Sequence, residues 1–131
     1  VEMKEKKDRV EDAIYATKAA LQEGIVPGGG VALLDASYAI IPESDGEAIL
    51  LEAIKSPYAT VLHNAALEHF ESGKVGIGID VIKNKQVNMV EAGIIDPVLV
   101  TKTALKNAVS VATTIFSADC VISNVRVNES N

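Results

Sequence analysis

The sequence predicts a mostly α-helical chain with a small β component, on three observations. Apolar residues recur at helical spacing over residues 2–23 and again over residues 97–116. The stretch VGIGIDVI (75–82) instead alternates β-branched residues with glycine, which is the pattern of a strand or hairpin arm. Of the 131 residues 48% are hydrophobic but only 4% aromatic, so the core must be built from Ala, Val, Ile and Leu. That length is one domain's worth of chain.

The first helix is expected from about Glu2 to Glu23, with Val10, Ala13, Ile14, Thr17, Ala20 and Leu21 on its apolar stripe. Its charges can pair at i,i+4, as Glu2 with Lys6, Lys4 with Asp8 and Glu5 with Arg9. Gly24 is placed to stop it. A second helix follows the glycines, from about Gly29 to Ala39, burying Val31, Leu34 and Tyr38. PESDG (42–46) reads as a loop, and EAILLEAIK (47–55), apolar nearly all round, as a short buried helix.

Ser56-Pro57 has the chemistry of a helix start, and that helix runs to about Phe70, where ESGK (71–74) ends it. After VGIGIDVI, KNKQ (83–86) is the expected turn and VNMVEAG (87–93) the returning arm. Asp96-Pro97 opens the last long helix, to about Phe116, with Val98, Leu105, Ala108, Ala112 and Ile115 on its buried face. CVISNVRV (120–127) is a terminal strand and NESN a polar tail.

A net charge of −6 and a pI near 4.8 argue against nucleic acid, whose phosphates select clustered Lys and Arg. The single cysteine, Cys120, permits no internal disulfide and suits a reducing compartment. No apolar run approaches the roughly 20 residues of a membrane span, and the start has no signal-peptide layout. A cytoplasmic protein is the expectation. Val1 begins in mid-pattern, which suggests a piece of something longer.

Four features could carry chemistry. GIVPGGGVALL (24–34) bares the amides of a helix start, but Val31-Ala32 stand where a phosphate loop needs Lys and Ser/Thr. Spacing therefore favours packing, though an anion or a close ligand approach stays open. Asp12 lies mid-helix, off the apolar stripe and four residues after Asp8, where like charges are unfavourable. It is either a solvated acid or a carboxylate aimed at a water or cation. Asp96 is most simply the N-cap of the last helix, a role compatible with accepting a ligand hydroxyl. Asp80, at a strand end, is by default a solvated acid. His63 and His69 are six apart, so they point in different directions on a helix and form no zinc pair.

Two long stretches carry a resemblance. VEMKEKKDRVEDAIYATKAALQEGIVPGGGVALL (1–34) and AGIIDPVLVTKTALKNAVSVATTIFSADCVI (92–122) closely resemble, in order and spacing, the C-terminal portion of group I chaperonins, the bacterial GroEL family. The resemblance implies the second pass through the intermediate domain and the C-terminal half of the equatorial, ATP-binding domain. Residues 1–24 would be the returning intermediate-domain helix and residues 25–131 the equatorial half, a helical bundle with a β-hairpin and a C-terminal strand.

The resemblance also implies roles. Asp12, in RVEDA, matches the family's catalytic aspartate, which orients the attacking water. Gly29 matches a glycine whose backbone meets the nucleotide, and Asp96, in IIDP, an aspartate that hydrogen-bonds the ribose. Asp80, Val81 and Ile82 fall where the family lines the adenine site, although Ile79 replaces a usual aromatic and Val81 and Ile82 replace small residues. The cofactor implied is ATP with Mg²⁺, whose metal ligand and phosphate loop would lie outside this chain. The partners implied are the rest of the subunit, its ring neighbours, and a co-chaperonin and unfolded proteins bound through the apical domain.

The expectation is thus half of an ATP site, inactive alone. Two other readings are a non-enzymatic assembly module whose nucleotide site has degenerated, and an independent helical domain binding an anion at Gly28–Gly30.

Overall fold

In the computed structural model residues 2–68, 73–120 and 122 are described. The order of elements is α1 (Glu2–Glu23), β1 (Ile25–Pro27), α2 (Val31–Ala39), α3 (Asp45–Ala53), α4 (Ser56–Asn64), β2 (Ile77–Asp80), β3 (Lys85–Asn88), β4 (Ile95–Pro97) and α5 (Val98–Phe116). The fold is mostly helical, with two small antiparallel sheets: β2 with β3, and β1 with β4.

α1 ends where glycine stops it: the Gly24 amide donates to the Ala20 carbonyl at 2.8 Å, with φ +83 at Gly24. Two of the three expected charge pairs form, Glu2 with Lys6 at 3.0 Å and Glu5 with Arg9 at 2.6 Å. The stripe differs from expectation. Val10, Ile14 and Leu21 are exposed, and Ala19 is the buried residue of the helix. The small side chains Ala16, Ala19 and Ala20 let α1 lie against α5 and β4, so the larger stripe beside them is left uncovered.

The core lies in a lobe made by α2, α4 and the β2–β3 hairpin. Val31, Leu34, Tyr58, Leu62 and Met89 are its buried members, with Ile79, Val87 and Ile94 packed around them. Tyr38, expected inside, is half-exposed, and Ser37 takes the buried position, its hydroxyl donating to the Leu34 carbonyl. α4 is shorter than expected. Ala66 adopts a left-handed φ of 54°, and the Leu67 amide turns back to the Leu62 carbonyl at 3.0 Å, closing the helix.

α3 corrects the sequence reading twice. It begins in the expected loop, because the Ser44 hydroxyl accepts from the Glu47 amide and caps the helix. None of its own residues is buried, although Ile54 at its C-cap is. The hairpin turn falls at residues 81–84, two residues before the expected KNKQ, with Asn84 in the left-handed region. CVISNVRV lies outside the described residues except for Cys120 and Ile122, as do His69 and Phe70.

α5 has no buried residue in 19. Its expected inner face is half-covered at Val98 and Leu105 and exposed at Ala108, Ala112 and Ile115. On the long helices Val10, Ile14, Leu21, Val111, Ile115 and Phe116 are exposed, so both carry apolar surface that no other described residue covers. Among the described residues no helix is long and apolar enough to cross a membrane.

Candidate functional site

The three glycines do three different jobs. Gly28 is buried where β4 passes, and a Cβ there would meet the Ile95 amide nitrogen at 3.0 Å. Gly30 caps α2 with φ +84, and a Cβ would fall 2.6 Å from the Tyr58 nitrogen, so the starts of α2 and α4 touch through it. Gly29, at φ +65, turns its missing side chain toward Met89, whose Cε is 3.3 Å from the Cβ position.

The short ribbon β1–β4 sets Val26 opposite Asp96 and Pro27 opposite Ile95. Neither strand was evident in the sequence, because three residues ending in proline give no alternation to read. Asp96 is consequently not the cap of α5. Pro97 holds that position with extended backbone and no side-chain cap bond, and α5 starts at Val98. The Asp96 carboxylate, half-buried, makes no hydrogen bond or ion pair among the described residues.

Asp96 instead lines a cleft of about 460 Å³ between the α2–α3 side and α5. Pro27, Gly30 and Pro57 are at its wall with Asp96, and Leu105 and Ala108 of α5 face it. Asp96 is the one ionisable group on this largely apolar lining. The structure thus places Gly30 and Asp96 on one cavity. It does not bring the other candidates there, and Gly29, which faces Met89, is not on the lining. Asp12 is exposed on α1, and Asp80, Val81 and Ile82 form the end of β2 and the hairpin turn.

Asp80 is buried and already occupied. Its Oδ1 accepts from the Ile82 and Lys83 amides, both at 3.1 Å, and its Oδ2 pairs with Lys83 Nζ at 3.1 Å. The Lys83 amide, then the Lys83 ammonium and the Ile82 amide, hold its carboxyl below the usual carboxylate range. Surface solvation, the default for Asp80 in sequence, is replaced by a turn-forming role. Val81 is 38% exposed and Ile82 93% exposed, so the turn offers backbone and aliphatic surface.

The lining offers one carboxylate and no cationic side chain. A free carboxylate beside a glycine turn can accept from a sugar hydroxyl. Neither Lys nor Ser/Thr follows the glycines to hold phosphate. Among the described residues no cluster of three His, Cys, Asp or Glu side chains could hold a metal ion.

Residues 1–126 match the TCP-1/cpn60 chaperonin family. The chain belongs to that family. Among solved structures it is similar to a group III chaperonin in the open state, with 27% identity and a TM-score of 0.66. The similarity covers 79% of this chain and 25% of that chaperonin, so the chain spans about a quarter of the neighbour's length. The chaperonin relationship accounts for the helical fold.

Proposed function

We propose that this chaperonin chain is the C-terminal portion of a group I subunit and supplies half of its ATP site. Asp96 carries the reading: a carboxylate with no partner among the described residues, beside Gly30 in a largely apolar cleft. The quoted stretches over residues 1–34 and 92–122 support the group I assignment. Residues 1–24 would return through the intermediate domain, and residues 25–131 would form the equatorial half.

In the intact subunit Asp96 accepts a hydrogen bond from the ribose, and Gly29 leaves its backbone open to the nucleoside. The turn at Asp80–Ile82 flanks the base with Val81 and Ile82, the Asp80 carboxylate being occupied within the turn. Asp12 orients the attacking water once α1 is brought over the site. ATP with Mg²⁺ supplies the phosphoryl group, held by residues outside this chain. Alone, the chain neither hydrolyses ATP nor encloses a client.

The test is Asp12→Ala in the intact subunit. ATP affinity should stay within about twofold while turnover falls about a hundredfold or more. Normal turnover in that variant would remove Asp12 from the site. A second reading, a subunit-contact module without nucleotide binding, is favoured by the uncovered face of α5. It predicts no ATP binding by the intact subunit either.

A further inference from the structure

We propose that Met89 is a positioning residue for the base side of the nucleotide site, fixing how far the β2–β3 turn stands from the glycine turn. The proposal rests on the reading above, in which the turn flanks adenine and Gly29 meets the nucleoside.

Met89 is 2% exposed, and its side chain fills the space that two glycines leave. Its Cε is 3.3 Å from where a Cβ on Gly29 would lie, and its Sδ is 3.0 Å from the corresponding point on Gly78. The hairpin and the glycine turn thus both rest on one thioether chain, and Val31 Cγ2, 2.6 Å from the same point on Gly78, packs beside it. The backbone repeats the link. The Met89 amide donates to the Gly76 carbonyl at 2.9 Å, the Ile94 amide to the Met89 carbonyl at 2.8 Å, and the Gly28 amide to the Ile94 carbonyl at 2.9 Å. One hydrogen-bonded line therefore runs from the base of the hairpin to the glycines, with Met89 in its middle.

Gly76, at the base of the hairpin, is tied once more. Asp35 of α2 accepts from the Gly76 amide at 2.8 Å. A two-stranded hairpin has little stability of its own, so its place is set by what it rests on. Here those supports include Val31, Met89 and Asp35. An unbranched thioether adapts to such a gap, and a side chain of similar volume replaces it at small cost.

Calorimetry on the intact subunit tests this with ATP and with inorganic triphosphate, which has no base. Met89→Ala should weaken ATP binding about tenfold, equivalent to about 1.4 kcal/mol. Triphosphate binding should be unchanged, KM should rise while kcat holds, and Met89→Leu should restore most of the loss. Equal losses for ATP and triphosphate, or none, would overturn the proposal, since Met89 would then be only a core residue. Asp35→Ala, which leaves the core intact, gives the same comparison if Met89→Ala does not fold: loss for ATP alone sustains the proposal, and any other pattern overturns it. If the unsubstituted subunit binds ATP no better than triphosphate, the nucleotide-site reading itself fails first.

Discussion

The lobe of α2, α4 and the β2–β3 hairpin contrasts with the two long helices. In the lobe, Val31, Tyr58, Leu62 and Met89 are each 2% exposed or less. In α5, Val111 and Ile115 are more than half exposed and Phe116 is 87% exposed. The two regions do not differ in hydrophobicity so much as in who covers it. The lobe closes on residues of this chain, whereas α1 and α5 present apolar surface that no other described residue covers. Large contiguous apolar patches on a surface mark interaction faces.

Substitutions can break this contrast. The largest effect should come from Leu62→Ala in the lobe, costing about 2–5 kcal/mol in urea unfolding of the chain. Gly30→Ala should follow at about 2–3 kcal/mol, because a methyl group would press on the backbone of Tyr58 and strain a positive φ. Circular dichroism on heating would show both as lower midpoints.

Asp80 sharpens the contrast by pH. Its folded-state pKa lies below the ordinary value of 3.8, so the deprotonated form is favoured by folding. Its stabilisation is complete well above pH 3.8 and is lost as the pH falls through the lower folded value. Asp80→Asn should flatten that part of an acid-unfolding curve and lower stability at neutral pH. Lys102→Ala breaks an exposed pair with Glu23 at 2.6 Å, which ties α5 to α1, and should cost about 0.2–1 kcal/mol. The smallest effect belongs to Val111→Ala on the uncovered face, within about 0.5 kcal/mol in the isolated chain. A cost as large as that of Leu62→Ala would show that α5 is covered within this chain after all.

The same contrast explains what could be read in advance. Helical spacing marked α1 and α5 to within two residues, and Gly24 marked the stop, because these signals are local. Burial was not local. The stripe from Val10 to Leu21 has the right period for a core face, but period alone does not say whether its cover belongs to the same chain. The cap of α3 at Ser44 was legible and lay within a segment read as loop, its Ser-Asp-Gly composition resembling a turn. The ribbon β1–β4 was not legible, since pairing across about 70 residues leaves no mark in either triplet. With it went the place of Asp96, which depends on that pairing and not on the helix that follows. Met89 gave no signal beyond being an apolar residue near a hairpin.

The ribbon has a consequence for length as distinct from composition. With Val26 opposite Asp96, successive residues of β4 face alternate sides. A shift of register by one residue would turn Asp96 away from the cleft while leaving every residue type unchanged. The number of residues between Gly24 and Gly28, and between Met89 and Pro97, is therefore as much a part of the site as the carboxylate. A single-residue insertion in either segment would erase it more surely than many substitutions.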